Sequence, residues 1–139
     1  MDWTLFAVVL VVCAAAGFLT LFLRQRFGFS NVEASAWVTL GAGLVFPAFF
    51  AHGILLAAAA TCVSYAGMSS DNWVPTQLRM LPVSLVCGVL IFGGQALLPG
   101  VGGRLGTFAA FSVLVCVGLR KLVFMVQEFR VSSQETVNN

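Results

Sequence analysis

His52 is the single histidine of the chain, and it stands between two apolar runs with Gly53 directly after it. An ionisable group among membrane-type residues is costly enough to suggest function. Three roles are open to it. At the outer surface it is a turn residue; set inward it can relay protons or bind a solute; and as a metal or haem ligand it would need partners from elsewhere.

A second candidate is the turn Gly100-Val101-Gly102-Gly103-Arg104-Leu105-Gly106. Its glycines let consecutive N–H groups point one way at a helix start beside a guanidinium, which suits a phosphate or carboxylate. The spacing lacks the strand and the Lys-Ser or Lys-Thr of a phosphate-binding loop, so a tight interhelical turn is the competing reading. Gly102 and Gly106 also have the spacing of a helix-packing pair. Gln95, preceded by Gly93 and Gly94, is an amide near the end of an apolar run, able to bond a neighbouring helix or line a path. The candidate binding set is therefore His52, Gln95, Gly100, Gly102, Gly103 and Arg104.

Catalysis finds little support. Asp2, Glu33, Asp71, Glu128 and Glu135 form no pair on one helical face within an apolar run, so no acid and base couple arises. Cys13, Cys62, Cys87 and Cys116 each occupy a different apolar run without a CxxC. They read as small buried hydrophobes, with Cys13, Cys87 and Cys116 able in principle to offer soft ligands to Cu(I). No catalytic residue, metal or cofactor is expected.

These residues sit in a chain that is 60% hydrophobic and 9% charged, with mean hydropathy +1.00. That composition predicts a polytopic membrane protein embedded in the lipid bilayer. The net charge of +2 is too small and too dispersed for a nucleic-acid surface. Trp3 to Leu23 is long enough to span, and without basic residues before it the run reads as a retained helix rather than a signal peptide. Arg24 to Phe29 reads as a basic, aromatic loop. Ser30-Asn31-Val32-Glu33 is a capping box that starts a second helix near Asn31.

The topology turns on Ser30 to Asp71. Its uncharged part would run about 50 Å as one helix, against a bilayer core of about 30 Å. Pro47 and His52-Gly53 mark Val45 to Gly53 as a kink or reversal. If the stretch crosses once, Arg79, Arg120, Lys121 and Arg130 oppose Arg24, Arg26 and Arg104. If it reverses, Arg24, Arg26, Arg79, Arg120, Lys121 and Arg130 share one side and only Arg104 faces the other. The second division fits the cytoplasmic excess of basic residues. The expected fold is an all-α integral membrane bundle of five hydrophobic helical segments, two of them short, with the N-terminus extracytoplasmic and the C-terminus cytoplasmic. Four spans with a long kinked second helix form the alternative.

In the rest of the chain, Ala57, Ala60 and Ser64 share a small-residue face expected to pack against another helix or a second protomer. Ser69 to Pro75 reads as a polar turn, Met80 to Pro99 as a span, and the last span as ending around Arg120-Lys121. Residues 1–130 thus form one transmembrane domain, and Val131 to Asn139 a frayed polar tail. No convincing internal repeat is visible.

Two functional classes follow. One is an oligomeric transport component, a channel or small carrier for a small solute or ion, since five thin segments scarcely enclose a path alone and a broken apolar stretch points to a translocation site. The other is a non-catalytic accessory or scaffold subunit of a larger membrane complex. An anionic lipid or anionic solute is the ligand that the Arg104 turn suggests.

Overall fold

Ser30 opens the best-defined helix start in the chain. Its Oγ accepts from the Glu33 N–H at 3.3 Å, and its own N–H donates to Glu33 Oε2 at 2.9 Å, closing the capping box. The computed structural model describes residues 3–68, 77–94 and 103–137. Among them are α1 (Trp3–Phe27), α2 (Asn31–Phe49), α3 (Gly53–Ala66), α4 (Gln77–Gly94) and α5 (Arg104–Val137), and no strand. Three segments, Trp3–Phe27, Asn31–Phe49 and Arg104–Glu128, are long and apolar enough to cross a membrane, while Gly53–Ala66 and Leu78–Gly94 are shorter apolar helices.

The long stretch reverses near His52, inside Val45 to Gly53 as expected, and Pro47 is not the break. That proline lies inside α2, in its last turn, where few backbone bonds remain for it to disrupt. The helix instead ends at Phe50, whose backbone is extended at φ −127° and ψ 137°, and α3 starts after His52. The two helices then pack back to back. Asn31 Nδ2 donates to Met68 O at 3.4 Å, Ser35 Oγ to Ser64 Oγ at 3.1 Å, and Gly53 abuts the Phe46 carbonyl, a constant register that only antiparallel helices keep. The single kinked helix is thereby replaced by a hairpin.

Other boundaries also differ from expectation. Arg24 to Phe27 is the last turn of α1 rather than a loop, because nothing breaks the helix before Gly28, whose φ of 65° favours glycine. At the other end of the chain, α5 runs through Arg120-Lys121 and keeps its helical backbone to Val137, so the expected frayed tail continues the helix. Its 34 residues extend about 51 Å at about 1.5 Å each. From Gly118 to Glu128 every residue is exposed, so this part of α5 projects beyond the other helices. The Ser69 to Pro75 turn, Pro99, and the residues before Trp3 lie outside the described residues.

Small side chains set the helix order. Gly17 of α1 meets Val63 of α3 and Ser84 and Met80 of α4, and Gly88 of α4 meets Leu10 and Cys13 of α1. Phe6 stacks edge-on to Phe92 with ring centroids 5.1 Å apart. Cys13 faces Ala59 and Thr20 faces Gly67, so α1 and α3 run in the same direction, while α4 runs against α1 and α5 against α4. The five helices therefore alternate in direction. Arg24, Arg26 and Arg79, with the projecting half of α5 that bears Arg120, Lys121 and Arg130, mark one end of the bundle; the α2–α3 turn and Arg104 mark the other.

Burial follows the same logic. Val9, Cys13, Cys62, Val63, Met80, Val83 and Cys87 fill the centre between α1, α3, α4 and α5, while Ala16, Val38, Ala42 and Ala60 close the α1–α2–α3 corner. Ala60 and Ser64 are buried within the chain, so the small-residue face packs on its own α2 and a bulky residue there tests the fold of one chain before it tests assembly. Ser64 Oγ donates to Thr61 O at 2.8 Å and accepts from Ser35, with Thr39 Oγ at 3.1 Å. The partners Ser35 and Thr39 had a legible signal, hydroxyls one helical turn apart on α2. Among the described residues, no buried side-chain N or O atom lacks a hydrogen-bond partner.

Candidate functional site

At the bundle end opposite most of the basic residues, the α2–α3 turn and the first turn of α5 face each other across a cleft. Gly103, at φ 82°, ends the preceding connection, and Thr107 closes the first turn of α5 by bonding back to Gly103 O and Arg104 O at 3.2 and 2.9 Å. Cys62 Sγ donates to Leu105 O at 3.3 Å, which places that first turn against the middle of α3 rather than its start. The turn at Ala51-His52 therefore overhangs the start of α5, leaving a space between them.

That space is an open cleft of about 360 Å³ lined by Ala51, His52, Ile54, Leu55, Ala58, Ile91 and Arg104. Two of the residues singled out for their chemistry, 52 positions apart, thus share one site. His52 is exposed at the rim, Arg104 is half-buried, and Ile91 is buried beneath them. The volume lies near the lower end of small-molecule pockets, roughly 300–1,000 Å³. The arrangement offers one fixed positive charge, an imidazole and an aliphatic wall. It can hold and orient a small polar or charged group, but it sets no nucleophile beside a base.

The other candidates divide. Gly103 supplies the turn geometry without lining the cleft. Gln95, Gly100 and Gly102 lie outside the described residues. Among the described residues, no atom of another element lies within 4 Å of where a Cβ at Gly106 would stand, so the helix-packing reading of the Gly102 and Gly106 spacing finds no contact with them. Nothing in the sequence marked Leu55, Ala58 or Ile91 as wall residues, because one apolar residue in an apolar run resembles the next until helix register is fixed.

The cysteines, far apart in sequence, come together in the core. Cys13, Cys62 and Cys87 belong to one buried cluster, with Cys116 packed against it. Among the described residues no group of three or more metal-ligating side chains is arranged to hold an ion. Cys13, Cys62 and Cys87 are each 0% exposed and Cys116 is half-buried. A membrane-permeant maleimide should therefore label Cys116 first in mild detergent and the other three only on denaturation, which mass spectrometry of the labelled peptides checks. Labelling of Cys62 or Cys87 at the Cys116 rate would contradict this packing.

A second hollow, about 260 Å³, lies between α1 and α2 and is lined by residues such as Val12, Ala16, Trp37, Val38, Gly41 and Ala42. Apart from the Trp37 indole N–H, its lining side chains carry no polar group. The protein-family models, the curated proteins and the solved structures contain no match to this chain.

Proposed function

We propose that this chain is a multi-pass membrane protein and an oligomeric component of a transport system for a small solute or ion, with the His52 and Arg104 cleft as its solute site. The observation that carries this reading is the cleft itself, where a broken apolar stretch and a helix start place two polar groups over an aliphatic wall. Interrupted helices that end on polar groups are how membrane carriers present binding groups at depth. The core of a single bundle is packed through its centre, so a path for solute runs between copies or past a partner.

The orientation proposed is an extracytoplasmic N-terminus and a cytoplasmic C-terminus, because the end bearing six of the seven basic residues belongs on the cytoplasmic face. Reporter fusions at the two termini should report opposite faces; a shared face would end the five-crossing reading. Purified protein in vesicles should raise uptake of at least one member of a panel of small anions, cations and neutral solutes. Filling the cleft with Ala58→Phe should abolish that gain.

The accessory reading is favoured by one specific observation, the projecting half of α5 with Leu119, Leu122, Val123, Phe124, Met125 and Val126 all exposed. Vesicles no leakier than protein-free ones, together with a larger membrane protein that co-purifies in constant ratio and is lost when residues 119–126 are made polar, would replace transport with that role.

A further inference from the structure

Resting on the oligomeric part of the transport reading and giving it an interface, we propose that copies of this chain associate through α5, whose exposed apolar band packs against the same band of parallel, in-register neighbours. Phe111, Val115, Gly118, Leu122 and Met125 follow one another at intervals of four and three residues, the heptad spacing that keeps one line of a helix facing another. Phe111, Leu122 and Met125 are more than half exposed, Gly118 is exposed and Val115 is half-buried, so the line is open to contact along its length. Leu114, Leu119 and Val126 widen it on both sides. The opposite face of the helix carries Arg120, Phe124 and Gln127, and there the Phe124 ring lies 5.8 Å from the Arg120 guanidinium. The band therefore runs unbroken from the bundle into the projecting half of α5.

Gly118 stands in the middle of this line, where glycine weakens a helix relative to alanine. Among the described residues no atom of another element lies within 4 Å of where its Cβ would stand, so packing against them does not account for it. A neighbouring helix would use the missing side chain to come close. Copies inserted in one membrane with one topology run parallel and hold Gly118 at one depth, which is the alignment a heptad line requires. Charge is then complementary between copies. At about 100° per residue, Glu128 and Arg130 stand on opposite flanks of the line, each about 100° from it, so in a ring of parallel copies Glu128 of one meets Arg130 of the next. Phe111, Leu114, Leu119, Leu122, Met125 and Val126, between 53% and 63% exposed, present roughly 700 Å² per copy, close to the about 800 Å² per partner of a standard interface. The band spreads over about 140° of the helix, too wide for a single neighbour, and so favours a ring of three or more copies.

The test uses the full chain, in membranes and in mild detergent, with Cys116→Ser as the background so that the remaining native thiols are buried. Leu122→Cys and Met125→Cys, oxidised by air with copper phenanthroline in the membrane, should each form a covalent dimer at least about tenfold faster than Gln127→Cys on the opposite face. Gly118→Leu should lower the assembled fraction, read by native mass spectrometry, at least about tenfold, while the helical circular dichroism of the chain stays unchanged. Glu128→Arg or Arg130→Glu alone should weaken assembly about threefold to tenfold, and the two together should restore it. The thiol series and the charge exchange decide the matter if Gly118→Leu fails to fold. Equal rates at the three cysteine positions, assembly untouched by a folded Gly118→Leu, or a double charge variant no better than either single would overturn the proposal. So would a larger membrane protein captured at Leu122→Cys in place of a second copy, because the occupant would then be the accessory partner. Assembly through α5 without uptake into vesicles would leave the interface standing and remove the transport reading. Uptake by a species of single-chain mass would do the reverse.

Discussion

Gly53→Val is expected to cost more than about 3 kcal/mol, beyond the usual overpacking penalty of about 1–3 kcal/mol, because the new side chain would collide with main chain and not with a side chain that can turn aside. A Cβ at Gly53 would press into the Phe46 carbonyl, with the Phe46 carbonyl carbon and Pro47 Cα directly behind it. These atoms belong to the last turn of α2, which α3 must approach closely for the hairpin to shut. Gly53 has no positive φ, so the penalty comes from the close approach and not from backbone conformation. The informative control is Gly43→Ala, in the interior of α2 with nothing within 4 Å of a new Cβ. It should be neutral or stabilise by up to about 1 kcal/mol through helix propensity. Reversible unfolding of both variants in mixed micelles checks the pair. Equal midpoints for Gly53→Val and the wild type would mean that α2 and α3 do not meet as described.

Gly17→Leu should come close to the same cost by separating three helices at once. The site lies where α1 crosses α3 and α4, and a Cβ there would overlap Ser84 Oγ while standing 3.0 Å from Val63 Cγ1 and 3.2 Å from Met80 Cγ. Ser84 is not free to turn away without loss, since its hydroxyl donates to Met80 O at 2.9 Å. A loss of about 2–3 kcal/mol follows from overpacking of this kind. The mechanism has its own signature. Gly17→Ala should be milder, and adding Ser84→Ala should restore part of its loss, a coupling of about 0.5 kcal/mol or more that only neighbouring residues show. Strict additivity of Gly17→Ala and Ser84→Ala in the same unfolding assay would place the two residues apart.

Both variants bear on function through the frame they disturb. The cleft is walled by α3, α4 and α5, so a hairpin that cannot close at Gly53 moves His52 away from Arg104. Loss of uptake in Gly53→Val would then report geometry and not chemistry, which is why the transport test uses Ala58 instead.

The sequence by itself determined the elements that depend on near neighbours. Apolar runs located five helices, Ser30 and Glu33 fixed the start of α2 through a three-residue contact, and the charge count pointed to a reversal near His52. Of its two marks for that reversal His52-Gly53 stands at the turn and Pro47 does not, because a proline in the last turn of a helix breaks little, and it ended α1 and α5 early by treating arginine and lysine as punctuation where no helix breaker stood. Tertiary structure alone decided which faces meet. Cys13, Cys62 and Cys87 carry no common motif, yet small residues at Gly17, Gly88 and Ala59 let their helices approach until the thiols share one core. His52 and Arg104 likewise had separate motives in the sequence, and their meeting depends on α5 starting against the middle of α3. Hydropathy is a local property along one dimension, and in a chain this uniformly apolar it cannot specify register between helices. Register comes from the few places where a glycine or a hydroxyl admits a neighbour, and those are recognised only when both sides of the contact are in view.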